Sequence, residues 1–203
     1  MGIICDTELP MAKQKRGAQQ VRIIGGKWKG RKLRFDGDAH LRPTPSRVRE
    51  TLFNWLRPEL AEARCLDAFA GSGVLGFEAL SHGAREVVFI EKNPRTVRSL
   101  KASAEVLQAG PRAEIIKTDV LRYLSEVKTP FDVVFLDPPF AQPELLARVL
   151  KLLAAGDLVG RYVYAEGPSL AHLEDAASRA HMQVAKHTRA GDSHSVLLTL
   201  EPS

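Results

Sequence analysis

The chain has 203 residues, 44% of them hydrophobic and 26% charged, enough for one domain of ordinary size with an appendage and a well-buried core. Its apolar start, Met1 to Cys5, is too short for a signal peptide and no later run is long enough to cross a bilayer, so a soluble cytoplasmic protein without a membrane partner is expected. Two cysteines, Cys5 and Cys65, and six histidines without ligand spacing make neither a disulfide framework nor a zinc site, and no metal is expected.

Charge is unevenly placed. Between Lys13 and Arg49 stand 12 Lys and Arg against Asp36 and Asp38, a net of +10 in a chain whose formal total is +5. A basic arm on a mildly acidic body is the electrostatic footprint of nucleic-acid contact through one end. Residues 1–20 mix small and polar residues without periodicity and read as a disordered basic tail. Residues 21–60 read as a small extension. From Arg22 to Arg34 the charges alternate with Ile23, Trp28, Leu33 and Phe35 around Gly25-Gly26 and Gly30, the pattern of a short hairpin with one basic face. Leu41-Arg42-Pro43-Thr44-Pro45 is extended, because each proline disfavours helix at the residue before it. Thr44 is expected to cap a helix with Pro45 at its first position. There Val48, Leu52, Trp55 and Leu56 form the buried stripe, Arg47, Glu50 and Asn54 share another face, and Pro58 ends the helix.

Residues 61–203 alternate short apolar runs with helical patterns, the signature of a parallel sheet wrapped by helices. Strands are predicted at 64–69, 86–91, 113–118, 131–137, 160–166, 182–189 and 194–201, with helices at 74–82, 94–108, 120–127, 142–154 and 169–180. The turn Ala190-Gly191-Asp192 leaves no room for a helix between the last two strands. They must form an antiparallel pair at the end of an otherwise parallel, Rossmann-like α/β sheet.

The first strand runs into Asp67-Ala68-Phe69-Ala70-Gly71-Ser72-Gly73-Val74-Leu75-Gly76 and then a helix, where glycines let a ligand approach the backbone and free amides offer a polar cradle. This spacing alone fits a dinucleotide equally well. Glu91 ends the second strand 18 residues after Gly73, where a carboxylate can accept both hydroxyls of a ribose. Asp67 would repel a pyrophosphate but could hold a cationic amine. A ligand with an amine at one end and a ribose at the other is S-adenosylmethionine, favoured over NAD. Asp119 closes the third strand, where it suits an adenine amino group with Val120 against the ring, or a plain helix cap. After the apolar run 131–136 comes Asp137-Pro138-Pro139-Phe140. Consecutive prolines fix a rigid turn without backbone donors, so Asp137 and the Pro138 carbonyl present only acceptors. An exocyclic amine is the natural guest, and Phe140 can stack on a base flipped out of its helix.

Arg22-Ile23-Ile24-Gly25-Gly26, Leu41-Arg42-Pro43-Thr44, the block Arg47-Val48-Arg49-Glu50-Thr51-Leu52-Phe53-Asn54-Trp55-Leu56, the glycine turn and Asp137 to Phe140 together resemble the bacterial 16S ribosomal RNA guanine-N2 methyltransferase family. The glycine and Asp-Pro-Pro motifs are shared with many amino-methyltransferases; the Arg-Pro-Thr segment and the long block carry the specific likeness. The resemblance implies a seven-stranded class I methyltransferase sheet with its last strand antiparallel, plus a small N-terminal hairpin and helix. It implies methyl transfer from S-adenosylmethionine to the exocyclic N2 of a guanine in 16S rRNA, presented in the 30S subunit or an assembly intermediate. With no long apolar heptad or exposed apolar stripe in the sequence, a monomer is expected. Asp67, Phe69, Gly71, Ser72, Gly73, Glu91, Lys92, Asn93, Asp119 and Val120 would bind the cofactor, and Asp137, Pro138, Pro139 and Phe140 the target amine. Arg42, Thr44, Arg47 and Arg49 would lie at the RNA, with Arg22, Lys27, Lys29, Arg31, Lys32 and Arg34 on its phosphates. An adenine-N6 DNA methyltransferase and a nonenzymatic RNA-binding assembly factor are the rival readings.

Overall fold

Residues 19–35, 44–139 and 141–201 are described by a computed structural model; the leading tail, Arg42 and Phe140 lie outside the described residues. Strands β1 (Gln19–Arg22) and β2 (Lys32–Phe35) form an antiparallel hairpin joined through a single 3-10 turn, Gly26–Trp28. Helix α1 (Ser46–Leu56) follows. The main sheet is then built from β3 (Arg64–Asp67), β4 (Glu86–Glu91), β5 (Ala113–Lys117), β6 (Phe131–Leu136), β7 (Val159–Gly167), β8 (Met182–Ala190) and β9 (Ser193–Leu200). Its helices are α2 (Val74–Ser81), α3 (Pro94–Leu107), α4 (Val120–Glu126), α5 (Pro143–Ala155) and α6 (Leu170–Ser178). The strands and helices expected after residue 60 are all present, with ends displaced by no more than about two residues.

Strand order is β5-β4-β3-β6-β7-β9-β8. The pairs from β5 through β7 are parallel, which is why β4 and β6 read as nearly unbroken apolar runs: both faces of the sheet are covered. The expected antiparallel end is there with one refinement. β9 inserts between β7 and β8, antiparallel to both, so β8 is the outer edge and the β8–β9 turn lies at the carboxyl end of β7. Order reverses at β3, whose neighbours are β4 and β6, and a ligand crevice is expected beyond the carboxyl ends of those strands.

One face of the sheet is covered by α4, α5 and α6. On the other, α1, α2 and α3 pack with Ile23, Trp28 and Leu33 of the hairpin region against Val133, Phe135 and Tyr164, so the N-terminal extension shares a core with the sheet. Cys65 lies in that core, and burial pushes its thiol up to about 12, leaving it inert at neutral pH. In β2 the period of two turns Leu33 and Phe35 inward and Lys32 and Arg34 outward; Arg22 pairs with Lys32 across the hairpin, so the predicted basic face is present.

The extension is fastened by a polar clasp on α2. The Glu78 carboxylate is 0% exposed and accepts the amides of Ile24 at 2.7 Å and Gly25 at 3.3 Å, together with the Arg49 guanidinium at 2.5 Å. Ser81 Oγ accepts the Trp28 amide at 2.8 Å and donates to the Gly25 carbonyl at 2.6 Å. Gly26 runs so close to α2, at a φ of +67°, that a Cβ there would sit 1.9 Å from the Ser81 carbonyl oxygen. Burial pushes Glu78 up and Arg49 down from their ordinary values, against the attraction of the pair.

Candidate active site

Beyond the carboxyl ends of β3, β4, β5 and β6 lies a cavity of about 440 Å³. Of the residues predicted to bind a cofactor, Phe69, Gly71, Glu91, Lys92, Asn93, Asp119 and Val120 line it, and Asp137 and Pro139 of the predicted amine-binding turn line it too. Thr96, Gln142 and Arg148 are among the other lining residues and were not singled out in the sequence.

Local structure explains these placements. Glu91 ends β4 and its two oxygens bridge the loops on either side: Oε2 accepts the Gly71 amide at 3.2 Å and Oε1 the Asn93 amide at 2.7 Å. Each oxygen keeps a further lone pair for a ligand hydroxyl. Asn93 caps α3 by accepting the Arg95 amide at 2.9 Å. Asp119 caps α4 by accepting the Leu121 amide at 2.9 Å through Oδ1, so the helix-cap reading of this residue holds while the side chain also borders the cavity.

Asp67, Ser72, Gly73 and Pro138 are not in the cavity wall. Asp67 is buried beneath it and accepts the Gly76 amide at 3.0 Å, which ties the end of β3 to the first turns of α2. Burial, with the neighbouring Glu91 carboxylate adding to it, pushes Asp67 up to about 7 despite the Gly76 amide. Gly73 caps α2 at a φ of +74°, where a Cβ would come within 2.5 Å of Leu100 and 2.7 Å of Phe77. Both residues shape the cradle from behind.

Asp137 follows β6 directly. Leu136 pairs with Ala165 in the parallel β6–β7 ladder, so Asp137 comes level with Glu166 on β7, and both point to the face that carries Phe135 and Tyr164. Glu166 is buried and accepts three hydroxyls: Thr44 Oγ1 at 2.5 Å, Tyr164 OH at 3.0 Å and Ser193 Oγ at 3.4 Å. Burial pushes Asp137 well above the ordinary carboxylate range, and the charges of Glu166 and Asp67 add to it. Glu166 also rises through burial, opposed by its hydroxyl donors. Sequence reading missed Glu166 and Glu78, whose partners are 122 and 54 residues away in the chain for the longest contact of each.

On the extension, Arg22, Lys27, Lys29, Arg31, Lys32, Arg34 and Arg47 are exposed and available to an anionic partner. Two predicted RNA contacts need correction. Arg49 is 3% exposed and belongs to the clasp, donating to Glu78, to the Arg22 carbonyl at 3.0 Å and to the Thr44 carbonyl at 3.1 Å. Thr44 is buried with its hydroxyl on Glu166, so neither faces an RNA surface. For the same reason Thr44 does not cap α1: Pro45 takes the cap position and Ser46 begins the helix.

The family described as Conserved hypothetical protein 95 matches residues 21–199. The ribosomal RNA small subunit methyltransferase D of Escherichia coli (strain K12) is 46% identical over 137 residues, 68% of this chain and 68% of that protein. The Haemophilus influenzae protein of the same name is 49% identical over 124 residues, 60% of this chain and 64% of that protein. Among solved structures, Escherichia coli yhhF, described as a candidate methyltransferase, superposes with a TM-score of 0.80 and 38% identity over 90% of this chain and 99% of that one. Magnesium protoporphyrin IX methyltransferase from Synechocystis PCC 6803 with bound SAH, at a TM-score of 0.62 and 16% identity over 81% of this chain and 90% of that one, shares the fold alone.

Proposed function

The chain belongs to the family described as Conserved hypothetical protein 95 and groups with the small subunit ribosomal RNA methyltransferases D, and from that premise we propose that it methylates the exocyclic N2 of a guanine in 16S rRNA, using S-adenosylmethionine. The observation that carries this reading is the Asp137-Pro138-Pro139 turn, in which two prolines remove backbone donors and which sets Asp137 and Pro139 in the wall of the cavity that Glu91 and Asp119 also line.

The cavity suits the cofactor chemically. Glu91 and Asp119 supply carboxylate acceptors in the wall, and Phe69 and Val120 supply apolar surface. Glu91 would accept ribose hydroxyls, and the Asp119 oxygen not used in capping would accept an adenine amine. When bound, S-adenosylmethionine supplies a methyl group made electrophilic by the adjacent sulfonium, so that an aligned nitrogen lone pair suffices.

The chain's own residues provide that alignment. The two N–H groups of the target amine would donate to the Asp137 carboxylate and the Pro138 carbonyl, drawing the nitrogen toward a tetrahedral shape and turning its lone pair to the methyl. The target base must leave any helix to reach this turn. Arg22, Lys27, Lys29, Arg31, Lys32, Arg34 and Arg47 would hold the surrounding phosphates.

The test is transfer of labelled methyl to unmethylated 30S subunits, naked 16S RNA and duplex DNA, followed by nucleoside digestion. Label in N2-methylguanosine that disappears in Asp137→Ala is expected. Label in N6-methyladenine, or none despite cofactor binding, overturns the proposal in favour of a DNA enzyme or an assembly factor respectively.

A further inference from the structure

Glu166 plays no part in the scheme above, yet it is the most heavily hydrogen-bonded acid next to the Asp-Pro-Pro turn. Asp137 stands one residue beyond the Leu136–Ala165 pair, beside Glu166 of the neighbouring parallel strand, and two carboxyl groups so placed resist being ionised together. The hydroxyls decide which of them keeps the charge. Thr44, Tyr164 and Ser193 all donate to Glu166, whereas among the described residues no side chain or amide donates to Asp137. Glu166 is therefore the anion of the pair, and Asp137 the member with the greater appetite for a proton.

We propose that Glu166 is a positioning residue for methyl transfer: a fixed negative charge, held by Thr44, Tyr164 and Ser193, that makes the neighbouring Asp137 a stronger proton acceptor for the target amine. The inference rests on the reading of Asp137 as the amine's acceptor. In the step it serves, the nitrogen lone pair forms the N–C bond, the C–S bonding pair leaves with sulfur, and an N–H proton of the methylated nitrogen passes to the Asp137 carboxylate and then to water. An isolated carboxylate near its ordinary value is a weak base for that proton; one beside a buried anion is better matched to neutral pH.

The surroundings support the assignment. Facing Asp137 are Glu166 and Tyr164 from β7, Asp67 from β3 and Arg148 from α5 across the cavity. Facing Glu166 are Tyr164 on its own strand, Ser193 and Ser195 on β9, and Thr44 from the extension. Thr44 is itself held by Arg49, which donates to its carbonyl and is paired with Glu78. A continuous chain of polar contacts thus runs from Glu78 through Arg49 and Thr44 to Glu166, and it couples the seating of the extension to the acceptor. The upward direction for Asp137, caused by burial and then by Glu166, agrees with this geometry.

The experiment is kcat and KM on 30S subunits from about pH 5 to about pH 9, with affinity for S-adenosylhomocysteine by calorimetry, for wild type, Glu166→Gln, Glu166→Asp and Tyr164→Phe. Glu166→Gln should move the acid limb of kcat downward by about one pH unit or more and lower the alkaline plateau several-fold. KM and cofactor affinity should stay within about twofold. Glu166→Asp keeps the charge and should keep the limb near wild type, and Tyr164→Phe should move it the same way as Glu166→Gln but less. A limb that stays in place, or a loss of kcat uniform in pH with a raised KM, overturns the proposal. If Glu166→Gln does not fold, the limb of Tyr164→Phe decides in the same sense. An Asp137→Ala enzyme that still methylates overturns the underlying reading of the turn; an inactive Asp137→Ala beside an unmoved limb in Glu166→Gln overturns only the role of Glu166.

Discussion

Replacing Glu78 by alanine should release the N-terminal extension from the sheet, because it leaves the Arg49 guanidinium buried without its counter-charge and the amides of Ile24 and Gly25 without an acceptor. Breaking a buried pair by removing one partner costs about 3–5 kcal/mol. For a chain of this size each kcal/mol is worth about 2–4 °C, so the melting temperature should fall by roughly 6–20 °C. Glu78→Gln keeps an oxygen for the Ile24 amide and should cost less. The double change Glu78→Leu with Arg49→Met removes both charges and should recover part of the loss, because burial disfavours the charged form of each partner and the pair's net worth is smaller than the cost of orphaning one member. Urea unfolding and calorimetry measure the stability, and binding of S-adenosylhomocysteine shows that the main sheet survives. A Glu78→Ala protein within about 1 kcal/mol of wild type, or a double variant worse than the sum of its singles, would refute the clasp as an energetic unit.

Two further outcomes are expected. Asp67 takes up a proton more readily when folded, at about 7 against an ordinary 3.8, so the stability it permits is fully present below 3.8 and is lost as pH rises toward 7, by at most ~4 kcal/mol. Asp67→Asn retains an oxygen for the Gly76 amide and should flatten that decline in urea unfolding measured across the interval; the same decline in both proteins would refute the assignment. On the outer face of the hairpin, Lys32→Glu with Arg34→Glu should leave the melting temperature unchanged, since both side chains are exposed, while weakening binding to 30S subunits and lowering the slope of log affinity against log salt by about 0.7–0.9 per lost phosphate contact. An unchanged salt slope in filter binding would remove the hairpin from the RNA interface.

What could be read in the sequence was whatever a short stretch of chain decides for itself. The apolar runs of β4 and β6, the Asp119 cap and the alternation of Lys32 and Arg34 with Leu33 and Phe35 are local patterns, and the fold follows them. Lining residues such as Glu91 and Asp119 were legible for the same reason: each stands where a strand ends and a helix begins. The glycine turn was only half legible, because the pattern that invites a ligand is also the one that lets a helix start tightly. At Gly73 packing against Leu100 and Phe77 suffices to require glycine, and Asp67 spends an oxygen on Gly76. Arg49 and Thr44 were misread because a basic residue and a hydroxyl in a charged segment look alike whether they face solvent or a partner far along the chain. Their partners, Glu78 at a separation of 29 and Glu166 at 122, sit in an apolar helix and after the apolar part of a strand, where a lone acid carries no local signal. Such an acid is costly to bury alone. An unexplained glutamate beside an apolar run is therefore itself the trace of a distant donor, and Glu78 within Val74–Ser81 and Glu166 after Tyr162-Val163-Tyr164-Ala165 meet that description on their sequences.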